Sequence, residues 1–509
     1  TPSNPMSTTF YRIPLLITYI FFCFFLQGCA FYSEKNKEDL NISNKNWSDI
    51  AVQDIKRIHE ILSETHPAKL DTSNHEFNNW LDFVGYKESM LLAERSESEQ
   101  QAFSALKFYL TGFMDEHLSV GTYADQKDPL SWAGWHMEHS NGRYLVASRA
   151  IGWSVDLPQI GDEVISCDSI SIHEILHNNV APFVDRRIHL ENTLNKLARY
   201  ITIEQANSPL WETLRPTKCL FQKLSGKYQE IPLIWKKQPK NLKIKRPPPP
   251  PQGMHQIKKG IYWIHASNFK LNTEEHIDFD HFLNNIQSID NADAIILDTR
   301  GNNGGNSMVG SAILSAALKK SAPPYQNSKA YWRISPISMA TIDGHRESAL
   351  KIEGKDSQIY KWLNDLRESM EVATQRGENF VEQADITSED DTEIPQGWPP
   401  FQGKLILITD SYCFSACLDF VDEVMSVPGA LHVGSTTDAD TRYMDIGSAV
   451  LPSGLKIWIP LKVWVGRRRQ DNVPYIPQIK YHQDINDTKA LQAWVLQSIL
   501  LVAKNIGTP

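Results

Sequence analysis

Apolar positions along the chain change their period several times, and each change marks a different kind of element. Ile55, Ile58, Ile61 and Leu62 recur at the spacing of one helix face behind Ser48 as the predicted cap, and further helical stretches follow to about Met114. Residues 47–130 are therefore expected to form a small helical domain. From 131 to 240 the apolar runs shorten and alternate, as in Tyr144-Leu145-Val146 and Glu163-Val164-Ile165-Ser166. A hairpin is predicted from Leu220 to Trp235, turning at Ser225-Gly226. This part reads as mostly strand, with a short helix from Ile172 to Leu176. Lys243-Ile244-Lys245-Arg246 and the prolines that follow, up to Pro251, then stop both patterns, because consecutive prolines hold an extended backbone; 241–256 reads as a linker. Beyond it strand and helix alternate: Gly260 to Ala266, Ile277 to Ile286, Ala294 to Leu297, Met308 to Leu318, Leu405 to Thr409, Ala416 to Met425. Such alternation predicts an α/β domain over 257–509 with parallel strand pairs. An insertion at about 325–400, with helical Ile359 to Leu366 and the acidic loop Ser388-Glu389-Asp390-Asp391, reads as a lid or binding element or as a solvated excursion.

The N-terminus carries a pattern of its own. Arg12 precedes an apolar run from Ile13 to Phe25, shorter than a bilayer span, which closes on Leu26-Gln27-Gly28-Cys29. The segment resembles a bacterial lipoprotein signal. That resemblance implies that residues 1–28 are removed, that the Cys29 thiol is lipidated, and that the polar residues 29–46 form a flexible tether. It also implies a place in the cell envelope; Ala30 rather than aspartate after Cys29 favours the outer membrane, facing the periplasm or the surface, over the inner membrane. An uncleaved anchor or a plain signal peptide is the alternative.

Composition narrows the partners more than the fold. The 509 residues are 41% hydrophobic and 22% charged, ordinary globular usage for several domains. A formal net charge of −9 provides no global basic surface, so no nucleic-acid partner is expected. Beyond Cys29 the cysteines are Cys167, Cys219, Cys413 and Cys417, too few for a disulfide framework, and their pairing stays open. Cys413 and Cys417 could meet on a helical turn, but a pair of small buried hydrophobes is the preferred reading.

Two segments carry candidate chemistry. In the first, the apolar Ala294-Ile295-Ile296-Leu297 runs into Asp298-Thr299-Arg300-Gly301-Asn302-Asn303-Gly304-Gly305 and then a helix, which leaves backbone N–H groups free to face an anion. The lysine and hydroxyl residue of a nucleotide-binding phosphate loop are missing, which argues against nucleotide binding. The second runs from Lys404 through Asp410-Ser411-Tyr412-Cys413-Phe414 to Ser415-Ala416-Cys417 and sets Ser415 at a helix start. There the Ala416 N–H and the helix dipole could stabilise an oxyanion formed when the serine attacks a carbonyl. A plain helix cap is the competing use of such a serine.

Together the two segments resemble the tail-specific protease family, whose Asp-Leu-Arg-Gly-Asn-x-Gly-Gly motif and later Ser-Ala segment occur in this order. The resemblance spans about 257–480 and implies a crotonase-like α/β core, with Ser415 as nucleophile and an oxyanion hole from the N–H of Gly304 or Gly305 with that of Ala416. Upstream, Ile160-Gly161-Asp162-Glu163-Val164-Ile165 and the helix after it resemble the second half of a PDZ domain, so 131–240 is expected to be PDZ-like and to engage polypeptide ends, including a C-terminus.

A serine hydroxyl needs a base. The tail-specific branch takes a lysine about two dozen residues after the serine, yet no lysine lies between Ser415 and Lys456. The tricorn-core branch uses an upstream histidine, and Phe113-Met114-Asp115-Glu116-His117-Leu118-Ser119-Val120 resembles its Asp-x-His segment, which makes His117 the candidate base. The same branch places an acid after the nucleophile; Asp471 occupies that stretch, aspartate where glutamate is expected, with Asp438 and Asp440 as alternatives. The branch also carries a serine beside its histidine, whereas here Glu116 precedes His117 and Ser119 lies two residues beyond.

A competing motif, His173-Glu174-Ile175-Leu176-His177, matches a zinc-binding pattern with glutamate as base. The third ligand of its extended form is absent, since Val180 and Phe183 fill the glycine and histidine positions, and the PDZ-like helix already accounts for the segment. The expectation is a lipid-anchored serine endopeptidase acting on polypeptides through an acyl-enzyme on Ser415, with no cofactor or metal required. A catalytically silent peptide-binding scaffold is the alternative, and a zinc peptidase a more distant one.

Overall fold

Short, unbroken apolar runs form the central sheet. In the computed structural model, which describes residues 46–122, 131–237, 249–270, 275–319, 328–384 and 401–501, this sheet has six strands. Their order is Gly253–Lys258, Ile261–His265, Ala294–Asp298, Lys404–Thr409, Leu431–Gly434 and Ile479–Lys480. The first pairing is antiparallel and the others are parallel. Parallel strands covered on both faces need apolar side chains in both directions, which explains why every residue of Ala294–Asp298 is buried. Ile295, Leu297, Leu405 and Leu407 pack with the helices Glu275–Gln287, Ser307–Leu318 and Ala416–Ser426. Ala294, Ile296, Ile406 and Ile408 face the other way, toward Leu491, Val495 and Ile499 of the C-terminal helical segment.

Asp298 ends its strand inside the protein, and its charge is matched on the spot. Its oxygens take Arg300 Nε at 2.9 Å and the terminal nitrogen at 2.7 Å, and Trp263 Nε1 donates at 3.0 Å. Arg300 also donates to the Ile485 carbonyl at 2.7 Å, tying the glycine-rich turn to the C-terminal segment.

The insertion expected at about 325–400 is neither a lid nor a solvated excursion in its described part. Lys329–Arg333 and Phe380–Glu382 are strands of a second, antiparallel sheet, paired with each other and, through Lys329–Arg333, with Lys456–Val465. The helices Pro336–Ile352 and Gln358–Gln375 cover it with their own core of Trp332, Ile342, Ile359, Leu363 and Leu366. The acidic loop at 388–391 lies outside the described residues.

Four helices, Trp47–Thr65, His75–Asp82, Val84–Glu94 and Glu99–Thr111, form the N-terminal body. Asn46 caps the first through a bond from the Asp49 N–H, in place of the expected Ser48, whose hydroxyl reaches the Glu94 carbonyl instead. Ile55, Ile58, Leu62 and Tyr109 join Tyr443, Ile457 and Ile459 in one core, so the helices are docked on the second sheet. The chain then enters that sheet directly, with Ser119 opposite Trp458.

Residues 131–237 hold the expected strands and the Ser225-Gly226 turn, but also a helix that the strand reading passed over, Glu191–Thr202. Its buried Leu194, Leu197, Ala198 and Ile201 carry the helical period. A disulfide joins Cys167 and Cys219 on neighbouring strands. Residues 1–45, which hold the expected signal sequence, Cys29 and most of the expected tether, and 241–248 of the expected linker lie outside the described residues. Among the described residues no helix is long and apolar enough to cross a membrane.

Removing the carboxylate of Asp298 strands the buried Arg300 guanidinium, and breaking such a pair costs about 3–5 kcal/mol. Asp298→Ala is expected to lower the unfolding midpoint in urea correspondingly, whereas a change within error would mean that Arg300 finds other acceptors.

Candidate active site

Parallel pairing of Leu297 with Leu407 and Asp298 with Ile408 delivers two turns to the same edge of the central sheet. Asp410 stitches them together: one oxygen accepts the Gly301 N–H at 2.8 Å, the other the Tyr412 N–H at 3.0 Å. Ser415 follows with φ 55° and ψ −123°, a backbone conformation rarely adopted outside glycine. Its side chain makes no capping bond, so the capping role does not hold. Instead its Oγ lies 3.2 Å from His117 Nε2.

Gly304 sits directly against this turn. A Cβ there would meet the Phe414 carbonyl at 2.8 Å and Ser415 Cβ at 2.9 Å, and the Ala416 nitrogen is 3.3 Å from the same point. With φ at +98° as well, only glycine fits. The Gly304 N–H is engaged within its own turn, donating to Asn302 Oδ1 at 2.9 Å. Gly305 is drawn to Phe269, with which it forms a bridge. Of the three donors expected for an oxyanion hole, Ala416 N–H is therefore the one placed at a helix start beside Ser415, where first-turn donors lack helical partners.

His117 arrives from the turn that leaves the N-terminal helices. Asp115 is folded back beneath it: Oδ1 accepts the His117 backbone N–H at 2.9 Å and lies 3.5 Å from the ring Nδ1. Its other oxygen accepts the Thr441 hydroxyl at 2.9 Å and faces His66 Nε2 at 3.8 Å. His66 Nδ1 accepts the Ala68 N–H, which leaves the proton on Nε2, toward Asp115. Burial alone would push the Asp115 carboxyl up, but the neighbouring imidazoles of His117 and His66 hold it well below the usual carboxylate range. Burial likewise pulls the His117 imidazole down, yet the Asp115 carboxylate beside it outweighs that pull and leaves His117 raised above its ordinary value. The Phe414 ring lies 5.0 Å from the His117 ring and shields this side of it.

The carboxylate beside the histidine is thus Asp115 and not Asp471. Asp471 takes the Arg442 N–H at 2.7 Å, Arg442 Nε at 2.8 Å and Arg467 at 3.3 Å, which commits both its oxygens to arginines. Asp440 is similarly held by Arg467 and Arg469, at 2.9 and 3.0 Å, and Asp438 by Asn192. Glu116 pairs with Arg187 and Lys196, and Ser119 lies in the strand opposite Trp458. The Asp-x-His spacing already contained Asp115; nothing local in the sequence pointed to Thr441 or His66.

Cys413 and Cys417 are joined in a disulfide around Ser415, which corrects the reading of two unlinked hydrophobes. A cleft of about 490 Å³ opens alongside, lined by Tyr412, Phe414 and Asn303 on one side and by Glu138, Asn195 and Arg199 of the 131–237 unit on the other. His173 and His177 stack with ring centroids 6.3 Å apart on that unit, and His177 Nδ1 contacts Asn178. Among the described residues no group of three or more His, Cys, Asp or Glu side chains is arranged to hold a metal ion.

Residues 260–465 match the profile of Peptidase family S41. No curated protein sequence matches the chain. Among solved structures, that of mature CPAF is similar in fold at 13% identity and a TM-score of 0.62, covering 91% of this chain and 99% of that one. The complex of mature CPAF with lactacystin is similar at 13% identity and a TM-score of 0.60, covering 90% and 99%.

If His117 accepts the serine proton it must be neutral, so the rate of any reaction at Ser415 should fall as pH drops through its raised value. The acid limb of the rate profile is expected above the ordinary histidine value of 6.5. Asp115→Asn is expected to move that limb to lower pH and to cut the plateau by about a hundredfold or more. An unmoved limb would separate Asp115 from the titrating group.

Proposed function

Residues 260–465 form a domain of peptidase family S41, and from that premise we propose that the chain is a serine endopeptidase that cleaves polypeptides through an acyl-enzyme on Ser415. The observation that carries this reading is the 3.2 Å approach of Ser415 Oγ to His117 Nε2 with Asp115 behind the ring. His117 takes the serine proton as Oγ attacks the peptide carbonyl, and the negative charge that develops on the carbonyl oxygen meets the Ala416 N–H and the start of the helix Ala416–Ser426. The charge of Asp115 stabilises the imidazolium thus formed. His117 then gives its proton to the leaving amine, and the ester on Ser415 remains. Water, deprotonated by the same imidazole, hydrolyses the ester and restores the serine.

The cleft between the peptidase turns and the 131–237 unit suits an extended polypeptide, and the PDZ-like pattern of that unit supports recruitment by a chain end. Anchorage through Cys29 is part of the same proposal and rests on the Leu26-Gln27-Gly28-Cys29 sequence, and the outer membrane is favoured by Ala30 after Cys29.

Incubation of the full chain with an unfolded polypeptide, followed by mass spectrometry, tests the reading. Wild type should release fragments, and Ser415→Ala and His117→Ala should each slow this by at least about 10⁴-fold. Cleavage that survives Ser415→Ala but is abolished by a chelator would overturn the serine mechanism and return attention to His173 and His177.

A further inference from the structure

The Ser415 turn lacks the fixtures that normally define a helix start. Its φ of 55° and ψ of −123° lie where a non-glycine residue persists only if its surroundings over-determine it. No side-chain cap secures the first turn of Ala416–Ser426. Yet the geometry of this one residue sets both the direction of Oγ toward His117 and the position of the Ala416 N–H.

We propose that the Cys413–Cys417 disulfide is the positioning device of this nucleophile. The inference rests on the reading of Ser415 given above. The crosslink joins the residue two before Ser415 to the residue two after it, across a Cα–Cα distance of 5.3 Å. Both cysteines are wholly buried in the core beneath the turn, with Leu418, Phe420 and Val421. Cys413 is held to the strand end through the Asp410 carbonyl at 3.2 Å, and the Cys417 N–H donates to the Phe414 carbonyl at 3.2 Å. The disulfide therefore clamps the end of the central strand to the first turn of the helix, with the strained residue between them.

A general stabilising role explains the bond less well. A crosslink limits the unfolded chain in proportion to the logarithm of the loop it closes. Cys413–Cys417 spans 4 residues in sequence, whereas Cys167–Cys219 spans 52, so the latter is the one suited to raising global stability. The two bonds give a matched comparison within one protein.

In the full chain, Cys413→Ala/Cys417→Ala is expected to lower kcat for peptide hydrolysis by about tenfold or more, the equivalent of about 1.4 kcal/mol in the barrier. KM should change less than kcat, because Tyr412 and Phe414 keep their side chains at the cleft edge, and the acid limb of the pH profile should stay as in wild type, since Asp115 behind the His117 ring is untouched. Cys167→Ala/Cys219→Ala should do the opposite, lowering Tm while leaving kcat within twofold, roughly the error of such a comparison. Cys413→Ser/Cys417→Ser, which keeps the side-chain size closer, should reproduce the kcat loss. A kcat equal to wild type in either Cys413/Cys417 double variant overturns the proposal. So does loss of cooperative unfolding in both, because the bond would then be a requirement of the whole fold. Absence of hydrolysis by the wild-type chain itself would instead overturn the peptidase reading.

Discussion

The parallel pairing of Ala294–Asp298 with Lys404–Thr409 governs the rest of the site, because it fixes where the two turns emerge. Burial on both faces sets the register: a slip of one residue would turn Ile295, Leu297, Leu405 and Leu407 out of one core and into the other. With the register held, the strands end side by side, and in such sheets the crevice beyond the carboxyl ends is where ligands meet the chain. Gly304 can then lie against Ser415, and Asp410 can reach Gly301.

His117 does not come from this sheet but from a different body of the protein. His117 reaches Ser415 because the N-terminal helices share a core with Tyr443, Ile457 and Ile459 and because Ser119–Val120 joins the second sheet. Asp115 then draws on several segments at once: His117 from its own turn, Thr441 from the loop before Tyr443, and His66 from the end of the first helix. The same loop is tied back to the helix that follows Ser415, since Arg469 pairs with both Asp440 and Asp419. Buried charge thus links the histidine side of the site to the serine side, and leaving any one member unpaired is costly.

Much of the core was legible in sequence because strands buried on both faces read as unbroken apolar runs, and glycine-rich turns announce themselves. Ser415 and His117 were legible through short motifs, and the structure sets them side by side. Asp471 was misplaced because its partners, Arg442 and Arg467, are matched by folding rather than by spacing. The same limit hid the role of Lys329–Arg333, whose strand partner Lys456–Val465 lies far along the chain. The helix Glu191–Thr202 was legible in its apolar period but was passed over among the alternating strands around it. The link between Cys413 and Cys417 was within reach of their spacing, but free cysteines also serve as small buried hydrophobes, and spacing alone does not separate the two.

The central claim is that Ser415 is a nucleophile made reactive by His117. Covalent labelling by a fluorophosphonate, with the adduct located by peptide fragmentation, tests it most directly. The account predicts one adduct, on Ser415, that disappears in Ser415→Ala and in His117→Ala while both variants remain folded. A folded wild-type chain that takes up no label, or an adduct on another residue, would contradict it.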